Sequence, residues 1–296
     1  MRDVESLQSG ILAPLPKQAR YLLFSAWPKA SFGPALRFLR DTVDGESAVI
    51  GVGPSLAQEL GGAIPALETF VAPAGSKRDI PSTPSSLWIW LRGEDRGELW
   101  HRARAVERGL GGAFVLTEST DAFLHREGRD LIGYEDGTEN PVGDKALSAA
   151  FVSGAGPGLD GSSFVVVQRW LHDLDRFEAM NPSERDHAIG RRIEDNTEIT
   201  DAPPSSHVSR TAQERFSPEA FVWRRSMPRS DGRDGGLVFV AFGRSFYAFE
   251  VQLRRMSGAE DGIADALFAF TRPVSTAYFW CPPMHEGRID LRALSG

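Results

Sequence analysis

Hydrophobic residues in the first half of the chain occur in short runs separated by stretches with helical spacing. The apolar and aromatic runs predict strands at residues 21–26, 48–52, 87–91 and 114–116. The helical spacing predicts helices at residues 34–42 and 92–110 and a helical turn at residues 56–60. Residues 72–86 are rich in Pro and Ser and are predicted to form a loop. The order β-α-β therefore occurs twice in this half.

The second half repeats this kind of pattern. Its predicted strands are residues 164–170, 221–225, 237–242 and 276–281, and the first of these is the strongest strand signal in the chain. Its predicted helices are residues 173–180, a helix that begins at Pro182, and residues 245–256 and 261–270. The pattern predicts an α+β protein made of two similar halves, each an antiparallel sheet covered by helices. A Gly-rich loop within residues 143–162 separates the predicted domains, 1–145 and 146–296.

Composition limits the kinds of protein that are compatible with this pattern. The 296 residues are 41% hydrophobic and 25% charged, which is typical of a globular protein with a substantial core. A formal net charge of -7 argues against a nucleic-acid-binding protein, which needs a clustered basic face. No apolar run approaches the ~20 residues of a membrane helix. Residues 1–5 lack the basic start and apolar segment of a signal peptide, so the expected location is the cytoplasm.

Cysteine and histidine usage narrows the possible chemistry. The single cysteine, Cys281, excludes an intrachain disulfide, a thiolate metal cluster and the two-cysteine attachment of a c-type haem. The six histidines show no H-x-x-x-H pair, so their spacing does not predict a mononuclear zinc site. Isolated histidines are more often surface or core residues than ligands, and spacing alone assigns none of them a role.

Three motifs stand out from this background. The first, from Gly133 to Pro141, is an acidic turn in which Gly, Asn and Pro bracket Glu135 and Asp136. Taken alone, it is most simply explained as a solvated turn. The second is Ser-His-Val around His207, and the third is Trp-Arg-Arg-Ser-Met-Pro, which begins at residue 223.

Together, the three motifs resemble those of the dye-decolourising peroxidases, specifically the intracellular bacterial branch. The resemblance extends from about residue 8 to residue 283. It implies a duplicated ferredoxin-like fold, one b-type haem per chain, and a peroxidase that reduces hydrogen peroxide and oxidises small organic donors by one-electron steps. It also implies a homo-oligomer. An encapsulin shell is a possible partner, but residues 285–296 contain no recognisable docking sequence that supports it.

The resemblance assigns roles to particular residues. It implies that His207 binds the iron and that Asp136 and Arg224 act on peroxide from the opposite side of the haem. Asp265 matches the position of the acid that accepts the other ring N–H of the iron ligand, a contact that raises the basicity of the ligand. The alternative for Asp265 is an exposed helix residue, and Asp261 is the next candidate for the acidic partner.

The remaining predicted cofactor contacts lie beside these residues. Gly137 and Thr138 follow the acidic residue of the turn. Because neighbouring side chains of a strand point to opposite faces, Arg224 and Arg225 cannot both enter one pocket, and the family motif assigns the pocket to Arg224. Ser226 shares the face of Arg224, at a position where some relatives carry Asn.

Two other functions compete with a peroxidase. One is a haem-binding or haem-delivery protein with incidental peroxidase activity, and the other is a ferredoxin-like protein that binds no haem. Asp136 and Arg224 favour catalysis, because haem storage needs no acid/base pair. The sequence leaves open the physiological donor and whether manganese is oxidised.

Overall fold

The computed structural model describes residues 4–294, which contain eight α-helices and eleven strands. Residues 1–3 and 295–296, the ends of the two predicted domains, lie outside this range. No helix in the described part of the chain is both long and apolar enough to cross a bilayer. The strands are β1 (Gln18–Ala26), β2 (Ala48–Val52), β3 (Leu87–Gly93), β4 (Phe114–Phe123), β5 (Ser163–His172), β6 (Trp223–Arg224), β7 (Met227–Asp231), β8 (Asp234–Gly243), β9 (Thr271–Cys281), β10 (Met284–His285) and β11 (Arg288–Ile289). The helices are α1 (Gly33–Thr42), α2 (Pro54–Glu59), α3 (Arg96–Leu110), α4 (Asp144–Ala150), α5 (Leu174–Ala179), α6 (Pro182–Ile189), α7 (His207–Thr211) and α8 (Tyr247–Met256).

Nine of the eleven strands form two antiparallel groups, one from each half of the chain, and β10 and β11 pair separately. Strands of the first half pair in the order β4-β1-β3-β2, and those of the second half pair in the order β9-β5-β8-β6, with β7 also on β8. The two groups join where Val52 of β2 pairs with Trp280 of β9. The predicted α+β fold with antiparallel sheets and covering helices is confirmed.

Strand β3 of the first sheet is buried on both faces. Leu87, Ile89 and Leu91 point to the core beneath α1 and α3, whereas Trp88 and Trp90 point to a second core. The Trp88 ring lies 6.1 Å from the Phe279 ring, which belongs to a strand of the other half. The two sheets therefore pack face to face around aromatic side chains, and a strand buried on both faces becomes a continuous apolar run.

The outer face of the second sheet is different, because polar side chains alternate along it. Gln168, Trp170 and His172 of β5 share one face and line a cavity, which α7 and α8 cover from the other side. The sheet thus supplies the floor of the cavity, and the helices supply its wall.

Several predicted elements needed correction. Helix α3 begins at Arg96 and not at residue 92, because β3 continues to Gly93 and the Asp95 side chain caps the helix by accepting from the Glu98 N–H at 2.9 Å. Helices α4 and α7 and strand β7 were not predicted. The predicted division between residues 145 and 146 falls inside α4, and the assignment of two domains stays a prediction.

The predicted helix at residues 261–270 is wrong. Only the 3-10 turn Ala266–Ala269 is helical there. Gly262 has a φ of +83°, a left-handed conformation that interrupts a helix. The Asp265 side chain then accepts a hydrogen bond from the Leu267 N–H at 2.8 Å, which caps the short turn. The apolar spacing of this segment reflects packing of an irregular loop.

An ion-paired carboxylate links β1 to β4. Asp121 lies opposite Arg20 in the sheet, and its Oδ2 accepts from Nη2 of Arg20 at 2.8 Å and from Nε of Arg96 at 2.9 Å. Burial by itself raises the pKa of Asp121. The hydrogen bonds and charges of the two arginines outweigh burial, so the pKa lies below its usual value.

We expect Asp121→Asn to lower the free energy of unfolding by about 1 kcal/mol at neutral pH, because the amide lacks the negative charge and keeps one acceptor oxygen in place of two. Since the pKa is lower in the folded state, this stabilisation is complete above the unfolded-state pKa of ~3.9 and is lost as pH falls through the folded-state pKa. Urea unfolding at neutral and acidic pH measures the difference between the two proteins, which should close on acidification. Asp41→Asn is the control, because Asp41 is exposed and lies 3.5 Å from Arg288. Equal losses in both variants would contradict the role given to Asp121.

Candidate active site

The cavity lies between the outer face of β5 and β8 and the helices α7 and α8. Its empty space, including the mouth that opens to solvent, is about 1490 Å³. Asp136, Thr138, His207 and Arg224 all line it. Four of the predicted site residues, from three separate segments of the chain, therefore reach one cavity.

His207 is the first residue of α7, and Asp265 fixes its ring. Ser206 caps this helix by accepting from the Ser209 N–H. Nδ1 of His207 lies 2.8 Å from Oδ2 of Asp265, which is fully buried. Because a carboxylate can only accept, Nδ1 carries a proton, and in the neutral ring the lone pair is then on Nε2. No described residue hydrogen bonds to Nε2, so the lone pair is available to a ligand in the cavity.

Asp136 and Arg224 form a second pair in the cavity wall. Nη1 of Arg224 lies 3.6 Å from Oδ1 of Asp136. The same carboxylate oxygen accepts from the Gly137 N–H at 2.8 Å, and Gly137 has a φ of +80°, which favours glycine. Oδ2 of Asp136 has no hydrogen-bond partner among the described residues. Nε of Arg224 is buried and also lacks a partner. The pair thus places a free carboxylate oxygen and an incompletely satisfied guanidinium side by side.

Arg225 points away from this pair. Its Nη2 donates to the Leu12 carbonyl at 2.8 Å, and its guanidinium lies 4.0 Å from the centre of the Trp223 ring. Burial, together with the positive charge of Arg92, lowers the pKa of Arg225 to about 10. The alternation of side chains along the strand therefore leaves the cavity to Arg224.

The other predicted contacts divide between the cavity and its surroundings. Thr138 lines the cavity, and its Oγ1 accepts from Nδ2 of Asn196 at 2.9 Å. Ser226 is buried and is not among the lining residues. Its Oγ accepts from the Val240 N–H at 3.4 Å, within the pairing of the second sheet. Of these two hydroxyl groups, only that of Thr138 belongs to a cavity-lining residue.

Comparison with known proteins shows the family of the chain. The sequence model of the family described as "Dyp-type peroxidase, C-terminal" matches residues 127–286. A dye-decolorizing peroxidase of Rhodococcus erythropolis is 32% identical over 246 residues, which cover 80% of this chain and 72% of that protein. The chain belongs to the Dyp-type peroxidase family. Membership identifies it as a haem peroxidase, and the alternative of a haem-delivery protein is not favoured.

Solved structures of Dyp-type peroxidases share the whole fold. A putative Dyp-type peroxidase from Shewanella oneidensis superposes with a TM-score of 0.87 at 25% identity and covers 99% of each chain. A variant of DypB from Rhodococcus jostii RHA1, solved in complex with heme, superposes with a TM-score of 0.82 at 25% identity. That superposition covers 91% of this chain and 94% of the other.

One residue of the site that the motif analysis did not single out is Asn140. Its Oδ1 accepts from the Arg224 N–H at 2.8 Å, and its Nδ2 donates to the Arg224 carbonyl at 3.0 Å. The side chain therefore holds the backbone of Arg224 much as a neighbouring strand would. Asn140 lies in the acidic turn, but nothing in the sequence indicated that its partner is 84 residues away.

A second histidine–carboxylate pair also lines the cavity. Nε2 of His172 lies 3.0 Å from Oδ1 of Asp130, and Nδ1 lies 2.7 Å from Oγ1 of Thr271. Both ring nitrogens therefore have protein partners, and neither is free to bind a ligand in the cavity. The alternation of Gln168, Trp170 and His172 along β5 was the signal that could have located it.

We expect Asn140→Ala to lower the free energy of unfolding by about 1–3 kcal/mol, because it leaves two backbone groups of Arg224 without partners. Displacement of Arg224 should also slow the reaction of the haem-loaded protein with peroxide by roughly 10- to 100-fold. Denaturant unfolding and stopped-flow absorbance measure the two effects.

Asn181→Ala is a matched control for this variant. As the N-cap of α6, the Asn181 side chain accepts a hydrogen bond from the Glu184 N–H at 3.0 Å, and Asn181 is not among the residues that line the cavity. Its loss should cost about 1 kcal/mol of stability and leave the peroxide reaction unchanged. If both variants slowed the reaction equally, general destabilisation would explain the effect instead of the position of Arg224.

Proposed function

We propose that the cavity holds one b-type haem through Nε2 of His207 and that Asp136 and Arg224 carry the chemistry of peroxide. The observation behind this proposal is the convergence of two pairs, His207–Asp265 and Asp136–Arg224, on one cavity. Three features fit such a group. They are the free lone pair on Nε2, the unpartnered Nε of Arg224, and a cavity lined by residues of β5, α7 and α8.

When bound, the haem supplies the redox chemistry by which hydrogen peroxide is reduced and organic donors are oxidised one electron at a time. The residues of this chain supply ligation, proton transfer and electrostatic stabilisation. Asp265 keeps the Nδ1 proton of His207 in place, so that Nε2 faces the iron with raised basicity.

Asp136 is the proposed proton carrier. Its Oδ1 is held by the Gly137 N–H, and its Oδ2 is free to take a proton from one peroxide oxygen and return it to the other. Arg224 lies beside it and stabilises the negative charge that develops as the oxygen–oxygen bond lengthens. A guanidinium stays charged at all working pH values, so this contribution does not depend on a proton transfer.

The remaining predicted contacts support this centre in different ways. We propose that Thr138 contacts the cofactor from the cavity wall, and that Gly137 shapes the turn that presents Asp136. Ser226 contributes indirectly, because its Oγ accepts from the Val240 N–H of β8, the strand that pairs with β6.

Location, association and donors are proposals that rest on the family resemblance. We propose a cytoplasmic homo-oligomer that oxidises dye-like or phenolic donors, with encapsulin as a possible shell. Light scattering of the purified protein tests the oligomer. Steady-state assays with a phenol, a dye and Mn²⁺ rank the donors.

His207→Ala is expected to abolish or strongly weaken haem binding while the fold stays intact, because it removes the proposed ligand. Titration of the apoprotein with haemin, followed at the Soret band, measures binding, and circular dichroism checks the fold. His187→Ala is the control, since His187 is partly buried, does not line the cavity and, among the described residues, hydrogen bonds to Ser183 alone. An unchanged Soret position and unchanged affinity in His207→Ala would show that another residue binds the iron.

Arg224→Leu is expected to slow the reaction with peroxide more than Asp136→Ala does. Loss of one electrostatic donor costs ~10²–10³ in rate and loss of a general base costs ~10²–10⁴, so magnitude alone does not set the order. The expected order follows from how easily each group is replaced. Water in the cavity can carry a proton in place of Asp136, but it cannot replace the fixed positive charge of Arg224. Stopped-flow second-order rates across pH, at equal haem loading, measure both variants. A slower Asp136→Ala at every pH would make the aspartate the principal group.

A further inference from the structure

Helix α7 is too short to determine where His207 points. It contains five residues, His207–Thr211. Isolated helices of fewer than about 12 residues are marginal in water, so the direction of this helix must come from tertiary contacts. The strongest of these contacts involves Arg210, which is buried and lies three positions after His207.

Arg210 binds the loop that follows α8. Its Nη1 and Nη2 each lie 2.8 Å from one oxygen of the Asp261 carboxylate, a bidentate geometry. Nη2 also donates to the Arg255 carbonyl, again at 2.8 Å. The guanidinium therefore holds both the end of α8 and the start of the loop.

This loop is irregular and carries Asp265 at its end. Gly258 and Gly262 have φ values of +75° and +83°, so the segment does not hold itself in a helix. Its path is fixed at the far end by the Asp265 N–H, which donates to the Met256 carbonyl at 2.8 Å. Asp261 is the point in the middle of the loop that is bound to α7.

Two contacts thus connect α7 to the loop. One is His207 with Asp265, and the other is Arg210 with Asp261. They are three positions apart on the helix and four on the loop, and they run in opposite directions along the two segments. A helix held at two points cannot rotate about its axis without breaking one of the contacts.

We propose that Arg210 and Asp261 are positioning residues that hold the hydrogen bond between His207 and Asp265, and thereby set the donor strength of His207 toward iron. The inference rests on the proposed role of His207 as the ligand. The alternative is that the Arg210–Asp261 ion pair stabilises the fold and has no effect on His207.

The ferric/ferrous potential of the haem-loaded protein separates these two possibilities. Asp265→Asn should raise the potential, because a weaker acceptor lowers the basicity of the ligand and destabilises ferric iron. Asp261→Asn should shift the potential in the same direction by a smaller amount, because the hydrogen bond is loosened and not removed. Arg210→Gln should behave like Asp261→Asn.

The matched control is Glu260→Gln. Glu260 adjoins Asp261, its side chain is equally exposed at 40%, and it pairs with Arg255 at 3.1 Å without contacting α7. Both substitutions remove one negative charge from the same loop, so a purely long-range electrostatic effect would be similar in the two. A shift in Asp261→Asn that clearly exceeds the shift in Glu260→Gln supports the proposal, and equal shifts overturn it.

A double variant tests whether Asp261 acts through Asp265. In the Asp265→Asn background, Asp261→Asn should cause little further change in the potential. A full additive shift there would overturn the proposal. Haem transfer from each variant to an acceptor apoprotein gives a second readout, and Asp261→Asn should release haem faster than Glu260→Gln does.

Failure of the inference can be distinguished from failure of the proposed function. If His207→Ala loses haem while Asp261→Asn and Glu260→Gln behave alike, His207 is the ligand and the positioning role is wrong. If His207→Ala keeps its haem spectrum, the proposed ligand itself is wrong, and the inference fails with it.

Discussion

The buried carboxylate of Asp265 imposes the main constraint on the site. A carboxylate removed from water is costly unless its oxygens are hydrogen bonded. One oxygen is satisfied by the Leu267 N–H and the other by Nδ1 of His207. The same contacts orient the imidazole, select its tautomer and end the irregular loop. The ligand geometry of the site and the local stability of the fold therefore depend on one pair of side chains.

On the opposite wall of the cavity, the side chain of Asn140 holds the backbone of Arg224. Arg224 lies on a strand of only two residues, β6, which pairs with β8 along one edge. Asn140 occupies the other edge and satisfies the N–H and carbonyl of Arg224. The turn that carries Asp136 thus also fixes the backbone of Arg224. This shared anchor explains how a carboxylate and a guanidinium from distant segments remain 3.6 Å apart.

The two faces of the second sheet show why the cavity lies where it does. On the inner face, Val165 and Phe279 pack with Trp88 of the other half, and the aromatic core fills the space between the sheets. On the outer face, the cavity separates the short α7 and the longer α8 from Gln168 and Trp170. A face lined partly by polar side chains and covered by short elements leaves room for a large ligand, and a close-packed aromatic core does not.

The sequence by itself determined the order of most strands and helices, because burial on one or two faces imposes a period on the apolar residues. It also determined that Arg224 and Arg225 point to opposite sides, since the strand alternates, and its motifs indicated the family. Only the tertiary structure determined the conformation of residues 261–270. There, the apolar spacing suits a helix, but Asp265 must reach His207 and the glycines permit a loop. Likewise, the partners of Asn140 and Arg210 are 84 and 51 residues away, and a periodic pattern carries no information about such distant contacts.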